Sequence, residues 1–203
     1  MRTSGIRLIL PLLVLAVAAT AQGQDKPAAA AGADYMPLKV GNKWVYKADF
    51  GGQMIEIGQS VAKIEKKDGK DIALMETEFG GQVITEQLSS SDKGVFRYSF
   101  QGQPVDPPIQ ALKLPVKKGD TWDVKFSAQG QEMKAVMKTE GEEEVMVPAG
   151  KYKAVIVSME MDAMGQKVTV KSWFAPNVGI VKQKFDLGGI SGTSQLEKFT
   201  PAK

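Results

Sequence analysis

The sequence predicts an all-β fold: a long antiparallel meander curled into a half-barrel or open barrel. Three observations carry this. From Lys43 onward apolar residues recur with period two, the strand period, rather than 3.6. Glycine-rich turn signals break the chain every ten to fifteen residues. No window shows the spacing of an amphipathic helix; a short turn over Pro108 to Leu112 is the best helical candidate. About eleven or twelve strands result, and a sheet that long curls or closes.

In chain order, the first element is an address. Residues 1–21 read as a cleaved signal peptide. Arg2 and Arg7 give a positive start, Leu8 to Ala19 an apolar run, and Ala19-Thr20-Ala21 a small-x-small cleavage site. The run is short for a transmembrane helix, which needs about 20 apolar residues. No cysteine follows it to accept an acyl chain. The expected location is periplasmic or extracellular, with no membrane span after cleavage. Residues 22–34, rich in Gln, Gly and Ala, form a disordered linker with little to bury.

Residues 35–203 form one β domain. Trp44, Tyr46, Ala48 and Phe50 share one strand face; Phe96, Tyr98 and Phe100 share another; Trp122, Val124 and Phe126 a third. Turns are expected at Gly51-Gly52, Asp68-Gly69, Gly80-Gly81, Asp92-Lys93-Gly94, Glu140-Gly141, Met164-Gly165 and Gly188-Gly189. Val147-Pro148-Ala149-Gly150 and Ala175-Pro176-Asn177-Val178-Gly179 read as further reversals, where Pro sets φ and Gly permits a left-handed backbone.

The domain also repeats itself. Pro37-Leu38-Lys39-Val40-Gly41-Asn42-Lys43-Trp44 matches Pro115-Val116-Lys117-Lys118-Gly119-Asp120-Thr121-Trp122, with a period of 78 residues. Gly94-Val95 near Phe100 resembles Gly179-Ile180 near Phe185. Two related halves of about 80 residues follow, 35–112 and 113–200. Gly41, Gly119 and Gly179 are structural turn positions. Trp44, Trp122 and Trp173 are expected as core anchors, since Trp has the largest apolar area to bury.

Composition bears on function mostly by exclusion. The chain has 203 residues with neither histidine nor cysteine. A Ser-His-Asp triad, a Cys nucleophile, a His-ligated zinc and a disulfide are therefore all impossible. Net charge is +3, and without Arg2 and Arg7 the balance is 24 against 23, leaving Arg97 as the last arginine. Nucleic-acid binders carry a basic stripe with several arginines, so nucleic acid is not an expected partner. Glu142-Glu143-Glu144 reads as a solvated hairpin rather than a calcium loop, because consecutive strand residues point to opposite faces. Glu76 and Glu78, Ser89 to Ser91, Lys66-Lys67 and Lys117-Lys118 carry no specific signal. Met159-x-Met161-x-x-Met164 is the sharpest local motif. Thioethers suit Cu(I), yet packing methionine is the ordinary reading, so no metal or cofactor is expected.

Three motifs together resemble a known family. They are Tyr35-Met36-Pro37-Leu38-Lys39-Val40-Gly41-Asn42-Lys43-Trp44-Val45-Tyr46, Val147-Pro148-Ala149-Gly150-Lys151-Tyr152, and Trp173-Phe174-Ala175-Pro176-Asn177-Val178-Gly179-Ile180-Val181-Lys182. The chain resembles a family of uncharacterised exported bacterial β-proteins, a domain of unknown function. That family is distantly similar to periplasmic lipoprotein-localisation carriers. The resemblance spans nearly all of 35–199. It implies a half-barrel type of antiparallel sheet and no established activity or catalytic residue.

The expected function is a non-catalytic envelope protein that binds a hydrophobic small molecule or lipid on the concave face of a curved sheet. The alternatives are an interaction or structural module docking on another envelope protein, weak copper binding through Met159, Met161 and Met164, and a hydrolase running on carboxylates. Val155, Val157, Met159 and Met161 opposite Tyr152, Ala154 and Ile156 read either as a cavity wall or as a strand buried on both sides.

Overall fold

The computed structural model describes residues 34–128, 131–163 and 165–203. The signal-peptide reading, nearly all of the linker reading, and Met164 fall outside those residues. Twelve strands follow one another: β1 (Lys43–Phe50), β2 (Gln53–Lys67), β3 (Lys70–Phe79), β4 (Gln82–Ser91), β5 (Gly94–Phe100), β6 (Gln103–Lys113), β7 (Thr121–Ala128), β8 (Gln131–Val147), β9 (Gly150–Ala163), β10 (Gln166–Ala175), β11 (Gly179–Leu187) and β12 (Ser191–Thr200). No helix interrupts them among the described residues. Each strand pairs antiparallel with its chain neighbours, and β12 pairs with β1, so the meander closes into a barrel.

The joins are unequal. The β1–β12 closure runs from Lys43↔Thr200 to Phe50↔Gly192. Among the described residues the β6–β7 join has a single pair, Asp106↔Ser127. Proline contributes to the weak join. β6 contains Pro104, Pro107 and Pro108, none of which has an N–H to donate. Successive strand residues point their N–H groups to opposite sides, so Pro107 and Pro108 deprive β6 of one donor toward each neighbouring strand. The same prolines misled the helical expectation: Pro108 to Leu112 lie in β6, not in a helical turn. Ile109, Gln110 and Leu112 instead pair with Arg97, Phe96 and Val95 of β5, and this ladder overrides local preference.

A second expectation is also corrected. Glu140-Gly141 is not a turn but a bulge inside β8, where the β8–β9 register shifts between Thr139 and Gly141. Gly141 sits at φ +132°, a backbone that favours glycine.

In an up-and-down barrel, alternate turns share an end. The hairpins at Gly51-Gly52, Gly80-Gly81, Gln101-Gly102, Gly165 and Gly188-Gly189 form one rim. The other end is packed shut. There the indole N–H of Trp44 donates to the Val178 carbonyl at 2.6 Å, and its ring stacks on Phe199 at 5.2 Å. The β10–β11 turn is held by Asn177 N–H donating to the Asp34 carbonyl at 2.6 Å. Tyr35, Met36, Val178, Val181 and Leu196 are buried around it. Gly179 is tight here: at φ +99°, an added Cβ would stand 3.2 Å from the Met36 sulfur.

The loops entering β1 and β7 are hydrogen-bonded alike. Gly41 N–H donates to Val61 O at 3.0 Å, Asn42 N–H to Lys39 O at 3.0 Å, and Val61 N–H to Asn42 O at 3.1 Å. Gly119 donates to Thr139 at 2.7 Å, Asp120 to Lys117 at 3.1 Å, and Thr139 to Asp120 at 2.9 Å. Each member of the second set lies 78 residues after its counterpart. The bulge recurs at the same offset, between Val61 and Lys63 in β2 and between Thr139 and Gly141 in β8.

Candidate functional site

Residues directly opposite across an antiparallel pair share a face of the sheet. Register therefore sorts the barrel wall into rows. Along β8, Ala135, Met137 and Thr139 are buried while Lys134, Val136 and Lys138 between them are exposed, which identifies the inward face. Along β1 the inward residues are Trp44, Tyr46 and Ala48, continuing to Phe50 at the rim.

Two inward rows near the rim are apolar across most of the wall. One runs from Phe50 over Gly192 to Phe185, Val170, Met159 and Met137. The next runs through Leu187, Val168, Met161 and Ala135 to Val124. Phe50, Phe185, Val170, Met159, Val168 and Met161 are only half-buried, unlike the residues at the shut end. Gly192 has a reason to be glycine: a Cβ there would run into the Phe185 ring and the Asp49 carbonyl. Phe50 then reaches Phe185 at 5.0 Å and Phe79 at 6.3 Å between centroids.

One row deeper the wall turns polar. Ala48, Ser194, Gln183, Ser172, Val157 and Thr139 follow across the strands. Gln183 donates its amide to Ser172 at 2.9 Å, and Gln59 to Thr77 at 3.1 Å. The Thr139 hydroxyl is buried without a hydrogen-bond partner among the described residues. Opposite this row stands the ion pair of Arg97 and Glu86, Nε to Oε2 at 2.9 Å. Glu86 is opposite the fully buried Met75, which places it on the inward face. The Tyr46 hydroxyl donates to Ile180 O at 2.9 Å. Burial pushes its pKa far above the ordinary tyrosine value, and the charge of Glu86 adds to the rise. β1 and β4 are separated by two strands in the sheet, so these groups sense each other across the interior.

The outward face is charged. An open groove of about 740 Å³ runs over β8 to β12 and the β1–β2 turn, its lining mixing charged outward residues with Met159, Val170 and Phe185 of the inward rows. Its carboxylates are engaged. Asp49 accepts from Gly52 N–H at 2.7 Å, Asp186 from Gly189 N–H at 3.2 Å, and Glu160 pairs with Lys167 at 2.9 Å. The hydrogen bond from Ser158 holds the Glu140 carboxyl below the usual range, with Lys138 and Lys171 assisting. These acids cap turns, accept from Ser158 and pair with Lys167.

The tryptophans differ in surroundings. Trp44 is fully buried; Trp173 is buried, with Lys182 over its ring at 5.1 Å and its indole N–H donating to Glu143. Trp122 is half-buried and donates to Gln110 O at 3.0 Å across the weak β6–β7 join. Gly41 and Gly119 stand at φ +90° and +83° in equivalent turns. Met159 and Met161 share the inward face, and Met137 is directly opposite Met159. Ala154 to Val157 are buried on both faces of β9, while Met159 and Met161 are not. Glu142 and Glu144 pair with Lys153 and Lys151 at 2.9 and 2.8 Å. No group of three acidic residues converges as a metal site among the described residues. Sequence reasoning missed the Glu86–Arg97 pair. Its signal was Arg97 itself, the last arginine of the chain, set in an apolar strand.

No curated protein sequence matches the chain. Two solved structures share its fold. A predicted lipoprotein of Parabacteroides distasonis has 14% identity and a TM-score of 0.53, over 83% of this chain and 99% of that one. A predicted exported protein of Bacteroides fragilis, with a YmcC-like fold, has 16% identity and a TM-score of 0.52, over 83% and 100%. At that identity the likeness concerns fold alone. A family model matches residues 63–189, more than half of the sequence and most of the barrel wall described above, and the chain therefore belongs to the DUF3108-like family.

Proposed function

We propose that this protein is an exported, non-catalytic carrier that holds one amphiphilic, largely apolar molecule against the inward face of its barrel. One observation carries the reading. The inward rows at the rim end are apolar from β1 round to β7, yet Phe50, Phe185, Val170 and Met159 remain half-exposed. Apolar side chains facing inward are normally covered; here an acyl chain or similar group would cover them. The polar row beneath, with the Arg97 guanidinium, would receive a head group. Arg97 spends one N–H on Glu86 and is one-third exposed, so further donors remain. Export rests on the N-terminal reading and is supported by the descriptions of the two structural neighbours.

Native mass spectrometry of protein purified from its own compartment tests this, together with titration of a fluorescent fatty-acid analogue. The expected result is a retained lipid mass and saturable fluorescence. Phe185→Ser and Val170→Asn should weaken binding at least roughly tenfold, given the apolar area removed. A bare protein mass together with a flat titration would end the proposal.

A further inference from the structure

Of the exposed large apolar residues, six flank the rim hairpins. They are Met54 at 61%, Phe79 at 41%, Val83 at 61%, Phe100 at 48%, Leu187 at 45% and Ile190 at 62%. Their register divides them. Phe79 is opposite the inward Ile57, and Leu187 belongs to the inward rim row. Met54 is opposite Asp49 and Val83 opposite Glu78, both on the outward face. The rim is thus apolar on both sides of its hairpins. On the inside it runs without a polar break into the Leu187, Val168, Met161 row. Exposed apolar groups clustered like this mark a contact surface.

Charge narrows the occupant. Within three residues of the five described rim turns lie Asp49, Glu78, Asp162 and Asp186, against Lys167 alone. Such a rim repels an anionic lipid surface and repels a second copy of itself. The turns also carry uncharged amides at Gln53, Gln82, Gln101, Gln103 and Gln166.

We propose that the rim docks on a lipid surface without net negative charge. Met54, Val83 and Ile190 enter its interfacial layer, so that an acyl chain passes from the layer to the inward rows without crossing water. This rests on the carrier reading above. A lipid layer fits better than a flat protein patch. It can touch both sides of every hairpin at once, and its chains continue the apolar path inward.

Flotation with phosphatidylcholine vesicles tests the docking, with phosphatidylglycerol added in a parallel arm. The wild-type chain should float with the neutral vesicles and progressively less with anionic ones at low salt. The triple variant Met54→Ser, Val83→Ser, Ile190→Ser should lose flotation at least roughly tenfold, since each side chain gives up most of its apolar area. All three side chains are exposed, so the variant should keep the wild-type melting temperature. It should also keep the fatty-acid titration, because none of the three lines the inward rows. No flotation of the wild type, or equal flotation of the variant, overturns the proposal. So does a dimer in light scattering that the triple variant dissolves, with no vesicle binding. Flotation with a flat fatty-acid titration would remove the carrier reading and leave the docking standing.

Discussion

Thr139→Val should make the protein more stable. Thr139 lies in β8, its side chain buried on the inward face, and its hydroxyl has no partner among the described residues. Its backbone is fully used: the N–H donates to Asp120 O at 2.9 Å and the carbonyl accepts from Gly119 at 2.7 Å. A buried unsatisfied hydroxyl costs about 1–3 kcal/mol, and valine puts a methyl in its place without changing β-branching. The gain should be about 1–2 kcal/mol, which raises Tm by about 3–6 °C for a chain of this size. The protein contains its own control. Val61 lies 78 residues earlier, is buried, and accepts and donates the equivalent backbone bonds at 3.0 and 3.1 Å. Val61→Thr should therefore cost about 1–3 kcal/mol. Urea and thermal melts of both variants are the assay. An unchanged or lowered Tm for Thr139→Val would refute the reasoning, because it would mean that the hydroxyl has a partner in solution.

Three further predictions concern other parts of the barrel. Trp44→Phe removes the bond to Val178 and part of the stack on Phe199, and should cost about 2–4 kcal/mol in urea melts; Trp122→Phe, half-buried at the weak join, should cost about 1. Gly94→Ala should abolish soluble expression, because its Cβ would meet the Leu112 carbonyl oxygen at 1.8 Å; Gly119→Ala, with nothing within 4 Å, should lose only the roughly 1–2 kcal/mol of its left-handed backbone. Tyr46 has a raised pKa in the fold, so its contribution is complete below the ordinary value of 10.0 and is lost as pH rises above it. Tyr46→Phe should cost about 1 kcal/mol at neutral pH yet flatten the loss of stability in melts above pH 10; an unchanged alkaline slope would contradict the buried phenol.

Much of the barrel was legible in the sequence because strand period and turn chemistry are local. Trp44, Tyr46 and Ala48 alternate with Lys43, Val45 and Lys47, and the structure buries the first set. The glycine turns are visible for the same reason. The misreadings occur where distant partners decide. Nothing near Pro108 announces that β5 will hold it extended, and nothing near Gly141 distinguishes a bulge from a turn. The candidate site was legible only in part. Met159 and Met161 could be placed on one face, but the apolar row joining Phe50, Phe185 and Val170 is assembled by register across four strands. Register is set by tertiary pairing and has no signature within one strand.

The repeated framework also shows where the barrel departs from its own symmetry. β1 and β7 begin and end 78 residues apart, and their entry loops and bulges agree bond for bond. We read the halves as copies of one six-strand unit. If so, positions where equivalents differ were not dictated by the shared framework. Trp44 is sealed by the β10–β11 turn, while Trp122 is left half-buried beside the weak β6–β7 join. Val61 is apolar where Thr139 is polar. Glu86 and Arg97 of the first half share the interior with Ser172 and Gln183 of the second. Two identical halves would enclose a symmetric interior, with no reason to grade from apolar rim to polar depth more on one side than the other. An amphiphile has two unlike ends and needs an asymmetric site. On the carrier reading proposed above, the divergence of the two halves at inward positions, over a shared set of backbone bonds, would give the site the two unlike ends that such a ligand needs.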